Sequence, residues 1–302
     1  MSRGRALLDR VLRPVNAPTG VLLWMAFLLP GGCGADTPVP PAATAAQRIV
    51  GLAPHIAEIV YAAGAGDKVV GVSAYTDFPP ETARLPVVGD AFGLDLELLA
   101  LLQPDLILAW REGTPSNVIE GLREAGFRVA SLPGLTLDEV AQAIEVVGRL
   151  TGTEPAANRS ASEFRERVRQ HSIGAEGKRK LRVFYQIDER PLYTVGGQHF
   201  ISEIIMLCGG ENIFADLNLV AAQVAVESVI ERDPQVILAA DDRQITHLEH
   251  WRDWPELAAV RANALFGITP ALVARPGPRL VDAAAEICDV LETARGNTEG
   301  AG

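Results

Sequence analysis

The side chains with metal-binding potential that stand closest together are two histidines and an acid late in the chain. His247, Glu249 and His250 are near enough to suggest a metal site, although such residues beside a tryptophan more often form a solvated helix face. The sequence has no Gly-x-Ser-x-Gly elbow, no Gly-x-x-x-x-Gly-Lys phosphate loop and no Gly-x-Gly-x-x-Gly fingerprint. We therefore expect no resident metal, no other cofactor and no enzymatic activity.

The first 33 residues have the pattern of an export signal. Four arginines against one aspartate precede the apolar run VLLWMAFLL, which is too short to span a membrane comfortably. Cys33 then follows small residues, as in a lipoprotein box where the cysteine is acylated, but Pro30 replaces the usual leucine. We expect a periplasmic protein anchored by lipid at Cys33, with plain secretion as the alternative. Residues 34–47 are rich in Pro and Ala and predict a disordered tether.

The other two cysteines are Cys208 and Cys288. Two cysteines in an oxidising compartment can pair, whereas the alternative is two buried free thiols. We predict the disulfide.

Charge and composition exclude one class of partner. The net charge is −11, so nucleic acid is not expected, because binding phosphate requires basic patches. With 48% hydrophobic and 22% charged residues, the chain has the composition of a globular protein with a real core.

Strand-like and helix-like runs alternate along the chain, which predicts an α/β fold with parallel sheets. The alternation stops at a segment with one narrow apolar stripe and faces rich in Arg and Glu, then restarts. We therefore predict two lobes, residues 48–152 and 176–296, joined by a single connecting helix at 153–175, with a short tail at 297–302.

An internal repeat supports two related lobes. Residues 96–109 read LELLALLQPDLILA and residues 226–239 read VESVIERDPQVILA, which align without a gap. Each segment predicts a helix, a proline turn and a buried strand. Glu97 and Glu227 occupy matching places early in their helices, where a carboxylate suits the positive end of the helix dipole.

Five segments together resemble the periplasmic cobalamin-binding proteins of ABC importers. They are RIVGLAPHIAEIVYAAGAGDKVVGVSAYTDFPP (48–80), LDLELLALLQPDLILAWREG (94–113), PLYTVGG (191–197), LCGGENIFAD (207–216) and RPGPRL (275–280). The resemblance covers residues 48 to 292. It implies two Rossmann-like lobes joined by one long helix, with the ligand in the cleft between them.

The resemblance also implies which side chains bind ligand. Tyr75, Trp110, Tyr193 and Arg275 match cleft residues of the family, and a corrin is a broad apolar plate edged with amides that aromatic faces and donors would hold. For each aromatic residue the alternative is core packing. Four further candidates complete the set: Phe92, Arg111, His55 and His199.

The sequence departs from the family at three cleft positions. Ala91 and Ala221 align with tryptophans, and Ala271 aligns with an acid. The cleft is therefore expected to be wider, which leaves open another corrinoid or a bulkier ligand.

The family resemblance gives Glu97 and Glu227 a role in docking, because the family uses one glutamate per lobe to pair with permease arginines. We therefore expect the partners to be a small-molecule corrinoid and an ABC permease dimer, with the receptor itself a monomer. Two alternatives remain: an iron-siderophore or haem receptor of the same fold, and an envelope enzyme on this scaffold.

Overall fold

Short apolar runs form a parallel sheet in the N-terminal lobe. The computed structural model describes residues 44–90, 92–241 and 246–299. In chain order the elements are β1 (Ile49–Gly51), α1 (Pro54–Ala62), β2 (Val69–Gly71), α2 (Leu96–Leu102), β3 (Leu106–Trp110), α3 (Ser116–Glu124), β4 (Val129–Leu132) and α4 (Leu137–Thr151). The strands lie in the order β2-β1-β3-β4.

One long helix, α5 (Glu154–Ala175), leads from this lobe to the next. It buries Ala157, Ala161 and Phe164, which belong to the stripe predicted from the sequence. The helix packs very closely on α4, since a Cβ added to Gly148 would lie 2.3 Å from the Cβ of Ala157. Arg165 of α5 adds ion pairs to two acids of α4.

The C-terminal lobe is built on a mixed sheet. Its elements are β5 (Leu181–Glu189), β6 (Leu192–Val195), α6 (Phe200–Leu207), β7 (Gly210–Asn212), β8 (Ala221–Gln223), α7 (Val226–Arg232), β9 (Val236–Ala240), α8 (Ala258–Arg261), β10 (Leu265–Ile268), α9 (Pro270–Val273) and α10 (Leu280–Glu299). The strands lie in the order β10-β9-β5-β6-β8, with β7 beside the first three residues of β5. Strands β6 and β8 are antiparallel to their neighbours. The predicted α/β fold with one connecting helix is confirmed.

At both ends of the described residues the structure differs from the sequence-based expectation. The predicted tether includes Ala46, but this residue is buried and its N–H donates to the Leu150 carbonyl at 2.8 Å. The small apolar side chain packs against the core although its segment has a linker's composition. Helix α10 continues to Glu299, beyond the predicted start of the tail. The export signal, Cys33 and Ala91 lie outside the described residues.

The internal repeat extends to matching backbone contacts. Helices α2 and α7 both end in a left-handed residue, Gln103 with φ 47° and Asp233 with φ 41°, which is uncommon for residues other than glycine. Arg48, directly before β1, and Arg182, the second residue of β5, donate to carbonyls at these helix ends. The strand register also matches, since Ile49 lies opposite Leu106 and Val183 opposite Val236. The two lobes therefore share a β-α-β unit in detail.

The predicted pairing of Cys208 with Cys288 is confirmed. A disulfide joins the end of α6 to α10, with the two Cα atoms 4.7 Å apart. Cys208 is buried, so the bond crosses the core of the C-terminal lobe. Among the described residues, no helix is both long and apolar enough to cross a membrane.

Removing the disulfide should lower stability substantially. The bond closes a loop with a sequence separation of 80, so Cys208→Ala with Cys288→Ala is expected to cost up to about 4 kcal/mol of unfolding free energy. Urea denaturation of the purified protein measures this loss. Wild type treated with a reductant should fall to the level of the double variant, and equal stability in all three samples would contradict the prediction.

Candidate functional site

The two lobes meet where the segment Arg275–Arg279 of the C-terminal lobe packs against the N-terminal lobe; we call this segment the arginine loop. Arg279 donates twice to Glu58 of α1, at 2.7 and 3.0 Å. Glu58 is 4% exposed, and the Arg279 guanidinium also lies over the Phe78 ring, 4.4 Å from its centroid. A charge buried this far is tolerated because it is paired on both oxygens.

A second ion pair crosses the lobes at the other end of the arginine loop. Arg275 donates to both carboxylate oxygens of Asp77, at 2.5 and 3.2 Å. The hydrogen bond from Arg275 holds the pKa of Asp77 below its ordinary value. In contrast to Glu58, the Asp77 side chain is 59% exposed, so this pair lies at the edge of the inter-lobe contact.

Between the two ion pairs, the arginine loop covers Trp110 and His55. A Cβ on Gly134 would approach both Pro276, at 3.1 Å, and the Trp110 Nε1, at 3.2 Å. The His55 ring meets Trp110 edge-on, with centroids 5.1 Å apart. The indole N–H of Trp110 is buried and has no hydrogen-bond partner among the described residues. Three of the predicted ligand residues, His55, Trp110 and Arg275, are thus brought together.

Burial keeps both candidate histidines neutral. Desolvation by burial, together with a smaller effect of the nearby charge of Arg275, lowers the pKa of His55 to about 3. Burial also lowers the pKa of His199 to about 4. His199 caps α6, accepting from the Ile201 N–H at 3.1 Å, and shares a cavity with Thr136 of the N-terminal lobe. Its role as a helix cap accounts for its position without a ligand.

The exposed aromatic candidates occupy three separate places. Tyr75 is 82% exposed, has a left-handed φ of 63°, and stands two residues before Asp77 beside the inter-lobe contact. Tyr193 is on β6 opposite Gln223 and is 36% exposed. Phe92 lines a groove of its own lobe beside α3, with Leu94 and Val118.

The remaining predicted positions are polar or small. Arg111 directly follows Trp110 and pairs with Glu112 at 2.8 Å and Glu139 at 3.0 Å. Ala221 and Ala271 are exposed. Glu97 and Glu227 are exposed in the first turns of α2 and α7.

Sequence reasoning missed Glu58, Asp77 and Arg279. The segments that contain them supported the family resemblance, but the pairs are 198 and 221 residues apart in the chain. Such pairs are fixed by how the lobes pack, and no local pattern in one sequence reveals them.

The low pKa of His55 predicts acid sensitivity. Below pH 6.5 the unfolded chain binds a proton at His55 that the folded chain does not bind until about pH 3, so stability falls as pH falls through this range. His55→Gln should flatten the decline of unfolding free energy by about 1 kcal/mol per pH unit. Urea titrations at pH 7, 6 and 5 test this. His247→Gln, at an exposed position, is the control, and parallel slopes for His55→Gln and wild type would contradict the assignment.

Comparison with known proteins covers both lobes. The periplasmic binding protein family matches residues 49–272. A vitamin B12-binding protein of Vibrio cholerae is 38% identical over 251 residues, which is 83% of this chain and 91% of the relative.

Solved structures give the same result. The crystal structure of a periplasmic vitamin B12 binding protein of Vibrio cholerae matches with TM-score 0.76 and 37% identity, over 83% of this chain and 98% of that one. A periplasmic heme-binding protein of Roseiflexus matches with TM-score 0.72 and 24% identity, over 82% and 98%, a likeness of fold alone. The chain belongs to the periplasmic binding protein family.

Proposed function

We propose that this protein captures a corrinoid of the vitamin B12 type and delivers it to an ABC importer. The observation that carries the proposal is the 38% identity to a vitamin B12-binding protein across 91% of that relative's length. The protein then acts by binding and release, without catalysing a reaction, and the corrinoid is its cargo, not a cofactor.

The arrangement of side chains at the inter-lobe contact supports a flat, largely apolar ligand. Trp110 is partly exposed, and Tyr75 stands exposed nearby. A corrin ring edged with amides would gain from aromatic contact and from donors such as Arg275. Five further side chains are candidates of the same kind or for the rim: Phe92, Arg111, Tyr193, His55 and His199.

Delivery requires docking, which we assign to Glu97 and Glu227. Each glutamate is exposed and stands at the same place of the repeated β-α-β unit, one per lobe. Two equivalent carboxylates would suit arginines on a two-fold symmetric permease dimer and would fix the orientation of docking.

We further propose that residues 1–33 direct export and that lipid on Cys33 anchors the protein at the periplasmic side of the membrane. The receptor would act as a monomer, without nucleic acid. The small residues before Cys33 support lipid attachment, and mass spectrometry of the N-terminal peptide from the native host would reveal it.

The second candidate ligand class is haem or an iron siderophore. A heme-binding protein has the same fold, and the small side chains of Ala221 and Ala271 would enlarge the cleft. Arginines that compensate carboxylates within the protein are less suited to ligands with ionised carboxylates, which favours the corrinoid.

Ligand identity can be tested by titration. Cyanocobalamin should bind and quench the fluorescence of Trp110, and Trp110→Ala should weaken binding about tenfold through lost aromatic contact. Isothermal titration against cyanocobalamin, dicyanocobinamide, haemin and a ferric siderophore measures the preference. Trp254→Phe, outside the inter-lobe contact, is the control variant. Binding of haemin or siderophore alone would refute the proposed function.

Docking can be separated from ligand binding. Glu97→Lys with Glu227→Lys should leave corrinoid affinity unchanged and abolish uptake. The reason is that these exposed glutamates would form stabilising ion pairs only when docking buries them against the permease. Uptake of labelled cobalamin by cells is the measurement. Glu120→Lys with Glu231→Lys changes the same charge, one residue per lobe, at other exposed positions. Normal uptake by the first double variant would disprove docking through these residues.

A further inference from the structure

Arg275 and Arg279 form ion pairs across the inter-lobe contact, and Arg111 directly follows Trp110 in the N-terminal lobe. Each of these three arginines is compensated by acids of the protein. Arg275 pairs with Asp77, Arg279 with Glu58, and Arg111 with Glu112 and Glu139. His55, a further titratable candidate in contact with Trp110, is neutral. These four side chains therefore offer hydrogen-bond donors to a ligand but no uncompensated positive charge.

The charges of the three arginines are not balanced equally firmly by their acidic partners. Glu58 is buried beneath the arginine loop, where a Cβ added to Gly277 would lie 3.1 Å from its carboxylate, and Arg111 has two acidic partners. Arg275 depends on one carboxylate, Asp77, which is mostly exposed and comes from the opposite lobe. The charge that a ligand meets at Arg275 is therefore set by a single residue.

We propose that Asp77 determines ligand specificity: by neutralising Arg275 it excludes ligands that carry ionised carboxylates and leaves the site to neutral, amide-rich ligands. The inference rests on the proposed function, in which the ligand is a corrinoid. A guanidinium has five N–H donors, of which Asp77 occupies two. An amide carbonyl can accept from the others, whereas a ligand carboxylate must displace Asp77 or lie beside it and be repelled.

The test uses Asp77→Asn, which keeps the shape of the side chain and removes its charge. The probes are dicyanocobinamide, which is neutral, and haemin, whose two propionates are ionised. Freeing Arg275 should tighten haemin binding relative to dicyanocobinamide by about tenfold, the lower end of what a hydrogen bond between charged groups contributes. The gain should shrink as salt is raised, because an exposed charge is screened.

A matched control separates this effect from a general change in charge. Asp216 also forms a bidentate pair with an arginine, Arg232, and its side chain is 61% exposed, but both residues belong to the C-terminal lobe. Asp216→Asn should leave the ratio of haemin to dicyanocobinamide affinity unchanged. Adding Arg275→Gln to Asp77→Asn should return the ratio to the wild-type value, because the uncompensated charge is then gone.

The outcomes decide the inference independently of the proposed function. Wild-type binding of dicyanocobinamide tests the corrinoid assignment. The comparison of haemin binding between wild type and Asp77→Asn tests the role of Asp77, whichever ligand is natural. An unchanged ratio, a ratio shifted toward dicyanocobinamide, or an equal shift in Asp216→Asn would overturn the inference, as would haemin binding too weak to measure in both proteins.

Discussion

The buried ion pair between Glu58 and Arg279 fixes how the two lobes meet. Two hydrogen bonds and the Phe78 ring surround a charge that would be very costly if left alone, since removing one partner of a buried pair typically costs about 3–5 kcal/mol. The pair holds the arginine loop against α1 and thereby holds Pro276 against Gly134 beside Trp110. The packing of the arginine loop beside Trp110 therefore depends on this buried pair.

The connecting helix supplies the other constraint. Helix α5 packs on α4 of the first lobe, and its Arg167 pairs with Asp282 of α10 in the second. One covalent helix and one buried ion pair hold the lobes at two separate places. Such an arrangement permits smaller hinge motion than flexible strand linkers would. A rigid receptor suits a ligand that is itself rigid and flat.

The regular elements could be predicted because they follow local rules. Apolar runs between glycines form the parallel strands, and Thr136 with Glu139, three residues later, forms a capping box at the start of α4. Strand β8 could not be predicted, because Ala221–Gln223 is short and lacks residues that favour strands. Trp110 and Arg275 were found through family resemblance. The ion pairs of Arg275 with Asp77 and of Arg279 with Glu58 depend on packing between segments about two hundred residues apart, which periodicity does not report.

The missing side chain at Gly148 has a consequence for how relatives of this protein could diverge. A single methyl group there would act as a wedge between α4 and α5, because the nearest Cβ is only 2.3 Å away. The added methyl group would tilt α5, the helix that leads to the second lobe. The separation of the lobes would then change without altering any candidate ligand residue. The width of the cleft could therefore evolve, or be engineered, through Gly148 at the contact between α4 and α5.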